Sequence, residues 1–277
     1  MTTGEAILLG LVEGVTEYLP VSSTGHLLLT QHLLKMGADG NNTAAISAYE
    51  ICIQSGAILA VLFLYAGRVR SVLTGMFGRD KAGLRLAFNL SVAFLPAAVV
   101  GILFGNLIKS HLFGMWPVVS AWVMGGIAIL VVERRKKLSQ DNNLGQQLEQ
   151  LTIPQALVIG TLQCIAMWPG VSRSLVTILG GTLVGLSALA AIEFSFLLGL
   201  ITLSAATLYE AMKHGTEMIQ AFGIVNPLIG LVTACLGAIV AVKWMVAYLS
   251  RSRLTIFGYY RIILGALVGG LMFLGFI

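Results

Sequence analysis

Residues 13–26, EGVTEYLPVSSTGH, constrain the fold of this chain more than any other stretch. They set Glu13, Glu17, the hydroxyl run Ser22, Ser23 and Thr24, and His26 between apolar segments. The chain around them is 57% hydrophobic and only 10% charged, with a mean hydropathy of +0.90. A soluble domain carries roughly 25% charged residues. The chain therefore reads as an all-α integral membrane protein, and its length suits a single membrane domain over 1–277. Lipid has no water to satisfy polar groups, so leaving these residues unpaired would cost several kcal/mol each. Ionisable residues at membrane depth mark a functional site by default.

The formal net charge is +5, but the basic residues fall in short loops between apolar segments. That distribution argues against nucleic-acid binding. Cys52, Cys164 and Cys235 are scattered in apolar runs, and their spacing suggests neither a disulfide framework nor a zinc site. The beginning, MTTGEAILLG, lacks the basic region of a signal peptide, so no cleavage is expected.

Residues 5–17 are apolar and helix-compatible, but at 1.5 Å per residue they reach about 20 Å, short of a hydrocarbon core of roughly 30 Å. Pro20 breaks the helix, and Ser22, Ser23 or Thr24 can cap a new one. Residues 24–35 are again too short to span. Two short helices around a polar turn predict a re-entrant hairpin, which survives in a membrane only inside protein or beside a water-filled cavity. A polar loop at 36–47 follows, then an apolar segment at 48–66 and a loop at 67–85 with Arg68, Arg70, Arg79, Lys81 and Arg85. Spans are predicted at 86–105 and 117–133. After ERRKK at 133–137 comes LSQDNNLGQQLEQ, so the first repeat covers 1–137, a linker 138–152 and a second repeat 153–277. In the second repeat, WPGVSRS at 168–174 separates short apolar segments at 154–168 and 175–186. Spans at 188–209, 222–247 and 257–277 complete the chain, with Lys213, His214 and Glu217 in a loop between the first two.

An offset of 150 residues pairs Gly10 with Gly160, Glu13 with Gln163, and Val21-Ser22 with Val171-Ser172, while Glu50 and Gly56 resemble Glu193 and Gly199. Each half has one broken pair and three spans, and an odd number of spans inverts the second half. With the loops at 67–85, 134–150 and 248–256 in the cytoplasm, and Lys243 at a span end, twelve of the seventeen Lys and Arg residues lie on that side. Lys35, Lys109 and Lys213 lie opposite, which follows the positive-inside rule. Six spanning helices plus two re-entrant hairpins whose tips meet near the midplane are the expected architecture. Inverted repeats build binding sites there.

Glu13 and Glu17, at i and i+4, share one helix face. Paired carboxylates in a low-dielectric site share a proton or bind a cation, or each simply bonds a neighbouring helix. Ser22, Ser23 and Thr24 before a helix N-terminus resemble an anion cradle, although any one of them can be only a cap. His26 lies within reach of a bound group or of Ser23 for proton exchange. Arg173, between Ser172, Ser174 and Thr177, needs an anion, either phosphate or a salt bridge to Glu13, Glu17 or Glu193. Trp168 reads as packing or interfacial anchoring. Arg261 is open between pairing with Glu193 and joining the anion site. The combined chemistry fits a divalent cation plus a phosphate.

EGVTEYLPVSSTGH at 13–26, PGVSRSLVT at 169–177, EICIQSGAILAV at 50–61 and EFSFLL at 193–198 resemble the undecaprenyl-pyrophosphate phosphatase family, also called bacitracin-resistance proteins. The resemblance covers nearly the whole chain. It implies a multi-pass enzyme of the bacterial inner membrane that removes the terminal phosphate of a C55 polyprenyl diphosphate. The product is the lipid carrier for peptidoglycan, and a divalent cation (Mg²⁺ or Ca²⁺) is required at a site opening to the outer face. Carried over by motif, Glu13 and Glu17 match the acidic, metal-binding pair, Ser23 the nucleophile, His26 the acid/base and Arg173 the phosphate-binding arginine. Ser22, Thr24, Ser172, Ser174 and Thr177 match the remaining substrate-binding hydroxyls. Leu175 stands where the family has Gly, and the family's proline near Ile201 is absent; both departures bear on rate or substrate range. Apart from the lipid substrate and membrane lipid, a homodimer is the one partner left open. The other class of function on such a scaffold is transport, of a polyprenyl phosphate or a small anion.

Overall fold

The structure, a computed structural model, describes residues 1–36, 43–137 and 145–276. Eleven α-helices run through them: α1 (Thr3–Thr16), α2 (Ser23–Leu33), α3 (Thr43–Leu64), α4 (Ala66–Met76), α5 (Lys81–Leu112), α6 (Met115–Lys137), α7 (Ile153–Gln163), α8 (Arg173–Leu183), α9 (Ala188–Phe222), α10 (Val225–Leu249) and α11 (Thr255–Phe273). Six of them, α3, α5, α6, α9, α10 and α11, are long and apolar enough to cross a membrane. No strand is present among the described residues, and the one backbone bridge joins Gln146 to Leu186. The protein is a multi-pass, all-α membrane protein.

The predicted spans fall on these six helices, and the two broken pairs fall on α1–α2 and α7–α8. Two regions differ from the sequence expectation. The loop at 67–85 contains α4, whose apolar Val69 and Val72 pack on the core while Arg70, Leu73 and Met76 stay outside. Asp80 then caps α5 by accepting from the Gly83 N–H at 3.0 Å. Second, α9 runs on through the stretch expected as a loop after residue 209 and stops at Gly223, whose φ of 68° suits glycine. Hydropathy falls there, but nothing in 210–222 breaks a helix before Gly223. Residues 138–144 of the linker lie outside the described residues, as do 37–42 of the first polar loop. The described end of the linker is stitched to the second half: the Gln146 N–H donates to Gly185 O at 2.8 Å and the Ser187 N–H to Gln146 O at 3.0 Å.

Glycines set the closest helix pairs. A β-carbon at Gly10 would overlap the carbonyl of Gly230 on α10, and one at Gly160 would overlap the carbonyl of Ala93 on α5. Equivalent positions of α1 and α7 thus rest on the second span of the opposite half. Between them α3 packs on α9 and α6 on α11, each helix on its own repeat mate. The main core, which includes Tyr18, Val21, Ile178, Phe196, Ala238 and Phe257, lies where both broken pairs meet these helices.

Candidate active site

Both breaks are built alike. Ser22 and Ser172 are two of only three non-glycine residues with positive φ among the described residues, at 75° and 77°. Each is the N-cap of the helix that follows: Ser22 Oγ accepts from the Gly25 N–H at 3.4 Å and Ser172 Oγ from the Leu175 N–H at 3.3 Å. A non-glycine residue there is strained, and such strain persists where the surroundings over-determine it. The two tips touch, because Ser174 Oγ donates to the carbonyl of Leu19 at 3.0 Å.

Glu17 is the hinge of the assembled site. Its Oε2 accepts from Ser23 Oγ at 2.5 Å, and its Oε1 accepts from Arg173 Nη2 at 2.9 Å. Arg173 Nη1 donates to the Ser195 carbonyl at 2.8 Å, and the guanidinium lies 5.6 Å from the centre of the Tyr18 ring. Gly199 makes the room, since a β-carbon there would overlap the guanidinium. Of the anions open to Arg173 on sequence grounds, the structure shows the Glu17 carboxylate.

A cavity of about 200 Å³ opens beside this pair. Six of the sequence-predicted residues line it: Glu17, Ser22, Ser23, Thr24, Ser172 and Arg173. The other predicted residues lie behind its wall. Glu13 is buried, with Oε1 lacking a hydrogen-bond partner. Ser174 and Thr177 serve the frame: Thr177 Oγ1 bonds the Arg173 carbonyl at 2.8 Å and Ser195 Oγ at 2.6 Å. His26 makes no hydrogen bond to Ser23. Its Nδ1–H donates to the Ser22 carbonyl at 2.7 Å and its Nε2 accepts from Tyr260 Oη at 2.7 Å, with the two rings stacked. One helical turn from Ser22 aims the ring back at the strained carbonyl instead of at the hydroxyl.

Leu175 does not face the polar cavity. Its side chain is buried in the main core and reaches a second, apolar cavity of about 300 Å³ between α6, α7 and α8. Trp168 borders both cavities and donates from Nε1 to the Pro117 carbonyl at 3.0 Å. The unbroken run of α9 past Ile201 matches the missing proline.

Arg261 takes neither course open to it. Glu193 pairs with Arg68 at 2.6 Å. Fully buried, Arg261 donates instead to four carbonyls: Gly170 at 2.8 Å, Ala121 at 2.9 Å, Pro20 at 3.1 Å and Trp122 at 3.4 Å. Pro20 and Gly170 belong to the two breaks, so one side chain ties both together. Local spacing carried no signal for this, because all four partners are distant in sequence. Gln54, Gln163 and Thr202 also line the polar cavity. Gln163 had a signal in its alignment with Glu13; Tyr260, Ser195 and Thr202 had none.

A divalent cation has limited protein support here. Among the described residues no group of three or more His, Cys, Asp or Glu could hold a metal. Two carboxylates, Glu13 with its unpartnered oxygen and Glu17, nevertheless suit an ion such as Mg²⁺, which takes one or two carboxylates and completes its shell with phosphate and water.

Six apolar spans around two broken pairs, whose tips bring a hydroxyl, a carboxylate and an arginine to one cavity, define a polytopic membrane protein with a polar site where its two helix breaks meet. The model of the bacitracin resistance protein BacA family matches residues 6–267, and the chain belongs to that family. It is similar to the undecaprenyl-diphosphatase of Sorangium cellulosum, at 46% identity over 95% of this chain and 84% of that protein. The undecaprenyl-diphosphatase 2 of Rhodospirillum rubrum is 43% identical over 95% and 93% of the two chains. The undecaprenyl-diphosphatase 3 of Acinetobacter baylyi is 38% identical over 95% and 96%.

Proposed function

We propose that this chain hydrolyses undecaprenyl diphosphate to the monophosphate and inorganic phosphate, recycling the lipid carrier of cell-wall synthesis and so conferring bacitracin resistance. The observation that carries the reading is the array Ser23–Glu17–Arg173 on one cavity wall. The relatives' names agree with it. Transport would need no hydroxyl held at 2.5 Å from a carboxylate.

In this mechanism Arg173 leaves Glu17 for the incoming diphosphate, whose charge is higher, and the hydroxyls of Thr24 and Ser172 help to hold it. Release from Arg173 makes Glu17 a better base. Glu17 accepts the Ser23 proton as Oγ attacks the terminal phosphorus, and the bridging P–O bond breaks with the monophosphate as leaving group. Water then hydrolyses the phosphoserine and releases phosphate. His26, hydrogen-bonded to the Ser22 carbonyl, holds the strained cap in place, and the Ser23 proton goes to Glu17. A divalent cation held by Glu13 and Glu17 would neutralise charge on the phosphates.

The remaining expectations belong to this reading. The chain lies in the bacterial inner membrane with α1–α2 and α7–α8 re-entering from opposite sides, and the polar cavity opens to the outer face. The start of the prenyl tail reaches the apolar cavity that Trp168 shares, and the rest lies in lipid between the spans.

Phosphate release from undecaprenyl diphosphate by detergent-purified protein, with and without chelator, is the test. Release abolished by chelator and restored by Mg²⁺ or Ca²⁺ is expected. No release under any of these conditions, from protein that remains folded, overturns the reading.

A further inference from the structure

Gln163 is the last residue of α7, where the second helical pair breaks, and it borders the polar cavity beside Glu17, Ser23 and Arg173. Its side chain is almost wholly buried, at 2% exposure. Neither Oε1 nor Nε2 has a hydrogen-bond partner. A buried amide with both ends unsatisfied is destabilising, and folded proteins keep such groups rarely. Other unpartnered buried atoms at the two helix breaks are Glu13 Oε1 and Tyr18 Oη at the first and Arg173 Nε at the second. They belong to the same two helix breaks, so the surplus of unmade hydrogen bonds is concentrated where a ligand would complete them.

The identity of the residue narrows its role. Gln163 occupies the place in the second half that Glu13 holds in the first. A carboxylate suits a cation. The neutral amide is the nearest isostere that can face an anion without repulsion, and it adds two N–H donors. Arg173, ten residues on, supplies the only full positive charge lining the cavity among the described residues.

We propose that Gln163 is a substrate-contacting residue, donating from Nε2 to a non-bridging oxygen of the bound diphosphate. The assignment rests on the phosphatase reading above. The first half then presents acids at this helix position and the second half an amide, so the cation ligands and the added phosphate donor come from different halves.

The test uses full-length protein in detergent, with Gln163→Leu and Gln163→Glu. Thermal unfolding is measured without substrate, and phosphate release from undecaprenyl diphosphate is measured for kcat and KM. Removing an unsatisfied buried amide is expected to leave the melting temperature of Gln163→Leu equal to or above that of the unchanged protein. Its KM is expected to rise about tenfold or more, as for loss of a hydrogen bond to a charged group. Gln163→Glu, which sets a carboxylate against phosphate, is expected to lose more activity than Gln163→Leu. A Gln163→Leu variant with unchanged KM overturns the proposal, as does one that loses stability and activity in parallel, which would assign the amide to the fold. Absence of phosphate release from the unsubstituted protein strikes the phosphatase reading itself, and is thereby told apart from failure of the Gln163 assignment.

Discussion

Glu17 binds with both carboxylate oxygens to residues of different halves, Ser23 by one and Arg173 by the other. Replacing either partner therefore separates two functions. Ser23→Ala removes the nucleophile and leaves the ion pair, so turnover is expected to fall about a thousandfold or more, with melting temperature nearly unchanged. A retained half of the native turnover would exclude the covalent route. Arg173→Lys keeps the charge but loses the planar fork that reaches Glu17 and the Ser195 carbonyl together. Tenfold to hundredfold loss of kcat/KM is expected, from about 1.5–3 kcal/mol per hydrogen bond to a charged group. Phosphate-release kinetics over a range of substrate concentrations check both. The residue types of this site were legible in EGVTEYLPVSSTGH and PGVSRSLVT, because polar groups in lipid stand out against an apolar background. Their pairing was not. Spacing places His26 near Ser23 equally well, and only the turn of the cap sends its ring to the Ser22 carbonyl and Tyr260 instead.

Helix starts carry the second group of expectations. Ser172 combines a useful cap with an unfavourable φ. Alanine there loses the cap and keeps the strain, at roughly 0.5–2 kcal/mol, whereas glycine loses the cap but relieves the strain. Ser172→Ala is thus expected to melt below the native protein and Ser172→Gly close to it; a reversed order would show that the backbone is not strained. Two carboxylates outside the spans set a pH dependence. The Ser71 hydroxyl and then the Gly83 N–H hold Asp80 below its usual range, and the backbone N–H of Glu149 followed by Arg68 does the same for Glu149. Lowered folded values mean stabilisation that is complete above the unfolded values, about pH 4–4.5, and is lost as pH falls through the folded ones. Thermal unfolding at descending pH is expected to show a decline below about pH 4.5, and Asp80→Asn a shallower one. Both groups are largely exposed, so the effect is small. The helix starts at Ser23 and Arg173 were legible from Pro20, Pro169 and the serines. The helix α4 and the extension of α9 were not, because a hydropathy window registers transfer into lipid and is blind to a helix that continues along the membrane edge or beyond it.

At the scale of the molecule, Arg261 on α11 is a side chain from outside both breaks that donates to each of them. The α6 carbonyls it touches belong to helical residues, so the carbonyls of Pro20 and Gly170 carry most of the consequence of its removal. Arg261→Met would leave these two buried acceptors without a donor, at roughly 1–3 kcal/mol each. Relief of one buried charge offsets part of this. A lower melting temperature and a fall in kcat larger than any change in KM are expected, since the nucleophile and the phosphate-binding arginine would lose their fixed separation. Unaltered kinetics would deny the arginine that role. The order of one broken pair and three spans in each half was legible from hydropathy and a handful of identities. The part of the joining that Arg261 makes was invisible, because it depends on main-chain oxygens, which are the same in every sequence.

The two helices that begin at the breaks start with different residues at matching places, Ser23 on α2 and Arg173 on α8. A scaffold with two equal halves would read a two-phosphate group in either direction. With a nucleophile at one end and a cation at the other, the same scaffold has a heading. Under the phosphatase reading, a lipid diphosphate then sits with its outer phosphorus toward Ser23, whereas a molecule settled in reverse would offer its inner phosphorus and leave prenyl phosphate, not phosphate, on the serine.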